Sequence, residues 1–123
     1  MVYTSYFANW RALEKANIQI VSIARINPHK LVCPMLKHLA PSAALLAGVK
    51  KGTVNWERYT EQYKKQLAKI NITEIKEKLA ELQEQYGEIA LCCYEKPTDN
   101  CHRHLLAEFL NEKLGMSISE YRG

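Results

Sequence analysis

Five side chains able to do covalent, proton-transfer or anion chemistry fall inside the short stretch "CYEKPTDNCHR": Cys93, Glu95, Cys101, His102 and Arg103. If the second half of that stretch opens a helix, with Thr98, Asp99 or Asn100 as cap, Cys101 lies in the first turn, where unpaired N–H groups and the helix dipole favour negative charge. A thiol placed there loses its proton more easily, and Arg103 strengthens the effect. The same turn would also cradle a phosphate, with Arg103 as a second donor. His102 titrates near neutral pH and suits a general acid or base, and Glu95 suits a second acid/base or an orienting group. Adjacent helical residues point about 100° apart, so Cys101 and His102 need not touch. His104 stands four residues before Glu108, the spacing of an ordinary surface pair.

Each of these residues also has a plain reading. Cys92 and Cys93 alternate faces of an apolar run, and cysteine is among the most buried residue types. Cys33 lies among prolines without a partner at a telling spacing, and His29 and His38 read as loop or surface histidines. Cys93, Cys101, His102 and His104 are all metal-ligand types, but structural zinc sites pair short-spaced ligands twice over, and the chain has no second such pair. No metal and no cofactor are expected on that ground.

Elements must hold these groups in place. "VYTSYF" (2–7) is β-branched and aromatic and reads as a strand; "NWRALEKAN" follows as a short helix capped by Asn9; "IQIVSIA" (18–24) reads as a second strand. That order predicts a crossover unit with parallel strands. Pro28, Pro34 and Pro41 break up residues 27–52, apart from a short helix capped by Ser42 and ending near Gly52. Trp56, Tyr59, Tyr63, Leu67 and Ile70 form one helical stripe, and Ile72, Ile75, Leu79, Leu82 and Tyr86 another, with Asn71 and Glu74 at capping-box spacing and Gly87 as a stop. "EIALCCY" (88–94) is a buried strand, 101–114 a last helix stopped by Gly115, and "MSISEY" an edge strand or a tail. The expectation is one α/β domain with a mainly parallel sheet of three or four strands flanked by helices. In such sheets ligands sit at the carboxyl ends of the strands. Those ends carry Thr4, Ser5, Tyr6 and Asn9; Ser22 and Arg25; and Cys93, Tyr94 and Glu95.

The 123 residues are 47% apolar and 24% charged, an ordinary globular composition for a single domain. The longest apolar stretch, 41–49, is far short of the roughly 20 residues that span a bilayer. The chain also opens without the pattern of an export signal. A protein in the cytoplasm, off the membrane and with reduced thiols, is therefore expected. Residues 1–56 carry seven lysines and arginines against one acid, Glu14, whereas 57–123 carry ten against twelve. A basic half of this kind attracts phosphate or nucleic acid, unless its lysines are merely scattered for solubility.

The stretch "ALCCYEKPTDNCHRHLLAEFLN" resembles the strand–turn–helix signature of domain-of-unknown-function family 488, in which a "CYE" triplet precedes a loop and a "CHR" triplet opens the last helix. "YTSYFAN", "VSIAR", "LAPSAALL" and "WERYTEQYKKQL" resemble its other segments, so the likeness spans nearly the whole chain. It implies an α/β domain with the Cys–His–Arg triplet at its active site. By that likeness Cys93, Tyr94, Glu95, Cys101, His102 and Arg103 are the signature positions, accompanied by Tyr3, Ser5, Tyr6, Ser22 and Arg25. Two functions compete. One is a thiol- or acid/base-assisted enzyme acting on a nucleotide, a nucleic-acid base or another phosphorylated ligand, with Arg103 and Arg25 clamping the anion. The other is a non-catalytic module that binds a nucleotide or nucleic acid, with Trp10, Tyr6 or Trp56 stacking on a base. The oligomeric state is not legible.

Overall fold

Residues 1–94 and 101–122 are described by a computed structural model. Four parallel strands form one sheet: β1 (Val2–Tyr6), β2 (Ile18–Ser22), β3 (Glu88–Cys93) and the short β4 (Ser119–Glu120), in the order β2-β3-β1-β4. The parallel α/β sheet expected from the sequence is therefore present. β1 and β2 are parallel but not adjacent, because β3 lies between them. The reason is compositional: β3 is apolar along "IALCC" and buried at each of those residues, the pattern of a strand covered on both faces.

Five helices flank the sheet: α1 (Trp10–Lys15), α2 (Ala43–Lys51), α3 (Trp56–Ala68), α4 (Ile72–Tyr86) and α5 (His102–Leu114). Side-chain alternation divides two cores. Phe7, Leu13, Ile18, Ile20, Ala90 and Cys92 pack on the α1 side. Val21, Ile23, Ile89, Leu91 and Cys93 meet Tyr63, Leu67, Leu79, Leu106 and Leu110 on the other. The Cys92/Cys93 alternation thus follows the strand period of two. No described helix is long and apolar enough to cross a membrane.

Local signals set the helix ends. Ser42, Asn55 and Asn71 each accept a hydrogen bond from a first-turn N–H, at Leu45, Arg58 and Glu74. Gly52 and Gly115 close α2 and α5 at positive φ, where a side chain would be strained. Asn9 precedes α1, yet its amide donates to Ser5 Oγ at 3.2 Å rather than capping the helix. Residues 34–36, unreadable among their prolines, run beside β2: Ser22 N–H donates to the Pro34 carbonyl and Leu36 N–H to the Ser22 carbonyl, each at 2.8 Å. That pairing covers the open edge of β2. Ser42→Ala removes one cap and should cost about 1 kcal/mol in a urea titration; no change in midpoint would show that α2 is held by packing alone.

Candidate functional site

The carboxyl end of β3 and the start of α5 bring the reactive groups together. Cys101 is itself the N-cap of α5, with extended backbone (φ −147°, ψ 145°), and His102 is the first helical residue. The expected placement of Cys101 inside the first turn, under a cap at 98–100, is corrected by one residue; the proposed caps and Glu95 fall outside the described residues. This shift has a chemical result. An extended Cys101 next to a helical His102 does not obey the 100° helical offset, and its Sγ lies 3.7 Å from His102 Nδ1. The neighbours thus meet, contrary to the offset argument.

The imidazole is fixed from its other side. His102 Nε2 lies 2.8 Å from the Ile23 carbonyl oxygen, which can only accept, so the proton is on Nε2 and the Nδ1 lone pair faces Cys101. The ring is buried and meets Tyr63 edge-on at 5.5 Å. Burial lowers its pKa to about 4, helped by the Arg103 and His104 charges and opposed by the Ile23 hydrogen bond. His102 is therefore neutral near pH 7, with an unprotonated Nδ1 facing the Cys101 sulfur. In the unfolded chain the ring takes up a proton near pH 6.5, so between 6.5 and 4 the unfolded state binds more protons and stability falls as pH falls. We expect roughly 3 kcal/mol to be lost across that window, measured as urea midpoints, and the loss should be absent in His102→Gln. An equal pH slope in the variant would contradict it.

Cys93 completes the cluster. Its sulfur meets that of Cys101 at bonding distance, with the Cα atoms 7.6 Å apart. The two are thus cross-linked in this structure, at a Cα spacing beyond the usual range of about 4.4–6.8 Å, and reduction leaves them as two neighbouring thiols. Cys92, on the opposite face, is buried with its thiol pushed well up by desolvation, and is inert at neutral pH.

Arg103 does not face outward as an anion clamp. Its side chain is fully buried; Nε and Nη2 donate to the two Glu120 oxygens at 3.0 Å each, and Nη1 donates to Cys93 Sγ at 3.0 Å. Thr4 Oγ1 also donates to Glu120, at 2.7 Å, and the Tyr6 ring stacks near the guanidinium at 5.8 Å. Arg103 and Tyr6 therefore position Cys93 from within the protein. Ser5 and Ser22 pair in register with Cys92 and so point to the α1 face, away from the cluster. Their hydroxyls accept from Asn9 and from the Ala24 N–H. His104 is not a plain surface residue either: it is half-buried and its Nε2 has no hydrogen-bond partner among the described residues.

A cavity of about 650 Å³ opens above the cluster, lined by Cys93, Cys101, His102, Tyr94 and Arg25. Lys50 of α2 and Trp56 and Tyr59 of α3 also line it, the two rings stacked 5.0 Å apart. Tyr94 is steadied by its hydroxyl, which donates to the Ile26 carbonyl at 2.6 Å. Arg25, Cys93, Tyr94, Cys101 and His102 are thus brought together as the sequence proposed. Glu120, Tyr59 and Lys50 were missed. Tyr59 was hidden inside an amphipathic stripe that also fits a core, and Glu120 sits in a segment too short to carry any period.

A family model described as DUF488-N3a, the active DUF488-N3 subclade, matches residues 11–114, from α1 to the end of α5. No curated protein and no solved structure matches the chain.

Proposed function

The chain belongs to the DUF488-N3 family, its matching model described as an active subclade, and on that premise we propose a thiol-assisted enzyme that acts on a nucleotide, a nucleobase or a similar phosphorylated ligand. The observation that carries this reading is the Cys101 Sγ–His102 Nδ1 contact at the floor of the cavity, with the tautomer fixed by Ile23. His102 takes the Cys101 proton at Nδ1, the thiolate so formed adds to an electrophilic carbon of the ligand as the bond from that carbon to its leaving group breaks, and the imidazolium gives the proton to the departing group. Cys93, held by Arg103, keeps the neighbouring sulfur in place. The Trp56–Tyr59 wall suits a flat base, and Arg25 and Lys50 supply positive charge for a phosphate. The reading requires reduced thiols and so suits a reducing compartment such as the cytoplasm.

Incubation of the reduced protein with a panel of nucleotides, nucleosides and bases, read by mass spectrometry of the products, tests this. Turnover lost in a folded Cys101→Ser variant supports the reading. Turnover unchanged in that variant overturns it. Binding without turnover, seen as quenching of tryptophan fluorescence, replaces the enzyme by a nucleotide-binding module.

A further inference from the structure

We propose that Cys93, Cys101 and His102 form a binding site for one thiophilic divalent cation, of the class of Zn²⁺, reached from the cavity. Among the described residues their ligand atoms, two sulfurs and one imidazole nitrogen, all lie within 4.8 Å of one another and all three residues are buried. A zinc ion with bonds of about 2.3 Å to sulfur and about 2.0 Å to nitrogen bridges such a set once the pair is reduced and the two sulfurs part to about 3.8 Å, the separation that tetrahedral bonds require. The Cα spacing of 7.6 Å, beyond the usual disulfide range of about 4.4–6.8 Å, is compatible with the two reduced cysteines sharing an ion.

The surroundings match what a metal ligand set requires. His102 donates from Nε2 to the Ile23 carbonyl, which leaves Nδ1 as the ligating atom and orients the ring. Arg103 donates to Cys93 Sγ and so stabilises it as a thiolate, while Glu120 balances the guanidinium charge. Two thiolates, a neutral imidazole and a dication form a nearly neutral unit, which the buried setting favours. All three residues line the cavity, so water or a small ligand has access to the ion. The sequence concealed the site because its ligands come from a strand end and a helix start rather than from two short-spaced pairs.

The inference stands on the geometry of the cluster and uses the thiol reading only for its consequence. With an ion bound to the reduced protein, the Cys101 sulfur is a ligand and does not act as nucleophile, so the metal-loaded protein is the quenched form of the proposed thiol enzyme.

The test is titration of the reduced, chelator-treated full-length protein with Co²⁺ under anaerobic conditions, followed by displacement with Zn²⁺. The expected result is saturation at one equivalent, with thiolate-to-cobalt charge-transfer absorption and the strong visible bands of a four-coordinate ion. Zn²⁺ should then erase the spectrum and protect Cys93 and Cys101, but not Cys33, from alkylation. Cys93→Ser and His102→Gln should each weaken binding at least tenfold, and Cys33→Ser should leave it unchanged. Absence of charge-transfer absorption in the wild-type protein overturns the proposal, as does a spectrum that depends on Cys33. Because the wild-type titration decides, a variant that fails to fold does not blunt the test. Turnover without metal binding removes this proposal alone, and metal binding without turnover removes only the thiol enzyme.

Discussion

Arg103→Met should destabilise the protein by about 3–5 kcal/mol, the usual cost of removing one partner of a buried ion pair. The guanidinium has no exposed surface and its Glu120 partner is 8% exposed, so the carboxylate left behind keeps only the Thr4 hydroxyl among its described side-chain donors. The cost is that of an uncompensated buried charge and not of a lost contact. One further consequence separates this from a surface pair, whose loss costs about 1 kcal/mol or less. The double variant Arg103→Met, Glu120→Leu should recover most of the stability, since an apolar replacement of both partners removes the stranded charge. Equilibrium urea unfolding of the wild type, the two single variants and the double variant gives the coupling directly. A loss below about 1 kcal/mol for Arg103→Met would show that the pair is solvated and that Cys93 is not held by it.

The second large effect concerns reactivity. His102→Gln should slow the alkylation of Cys101 by iodoacetamide at pH 7 by about 10²-fold or more, the range that a positioned base contributes. Glutamine keeps an N–H for the Ile23 carbonyl but offers no basic nitrogen to the sulfur 3.7 Å away. Cys33, half-buried and remote in sequence from the cluster, serves as the internal reference, and its rate should not move. The measurement is peptide-resolved mass spectrometry of a time course in chelator-treated, reduced protein. Equal rates in the two proteins would mean that the imidazole does not activate the thiol.

The parts of the fold with a strong period were readable from the chain. The stripes from Trp56 to Ile70 and from Ile72 to Tyr86, and the apolar run at 88–93, correspond to α3, α4 and β3 because burial imposes those periods. The position of β3 between β1 and β2 was not readable from local order, since only tertiary pairing decides which strands are neighbours. The site was half legible. "CHR" at a helix start indicated reactive groups, and Cys93, Tyr94 and Arg25 followed from the rule that strand ends hold ligands. Arg103 misled, because a sequence shows an arginine beside a cysteine but not the carboxylate of Glu120, seventeen residues on, that turns it inward. Ser5 and Ser22 misled for a simpler reason: they sit on the strand parity of Cys92, not of Cys93. That parity could have been counted. Nothing local could have shown that Cys101 is extended and therefore touches its neighbour His102, because one residue's shift in a helix start reverses that contact.

The most direct test of the central claim, that Cys101 is an activated thiol at the floor of a ligand cavity, is the alkylation rate of all four cysteines in the native, reduced, metal-free protein, measured with and without a saturating mononucleotide. The account predicts that Cys101 reacts first despite its burial, through the cavity it lines, that Cys92 stays unmodified, and that the nucleotide slows Cys101 while leaving Cys33 unchanged. Cys33 reacting faster than Cys101, with no effect of nucleotide on either, would contradict it.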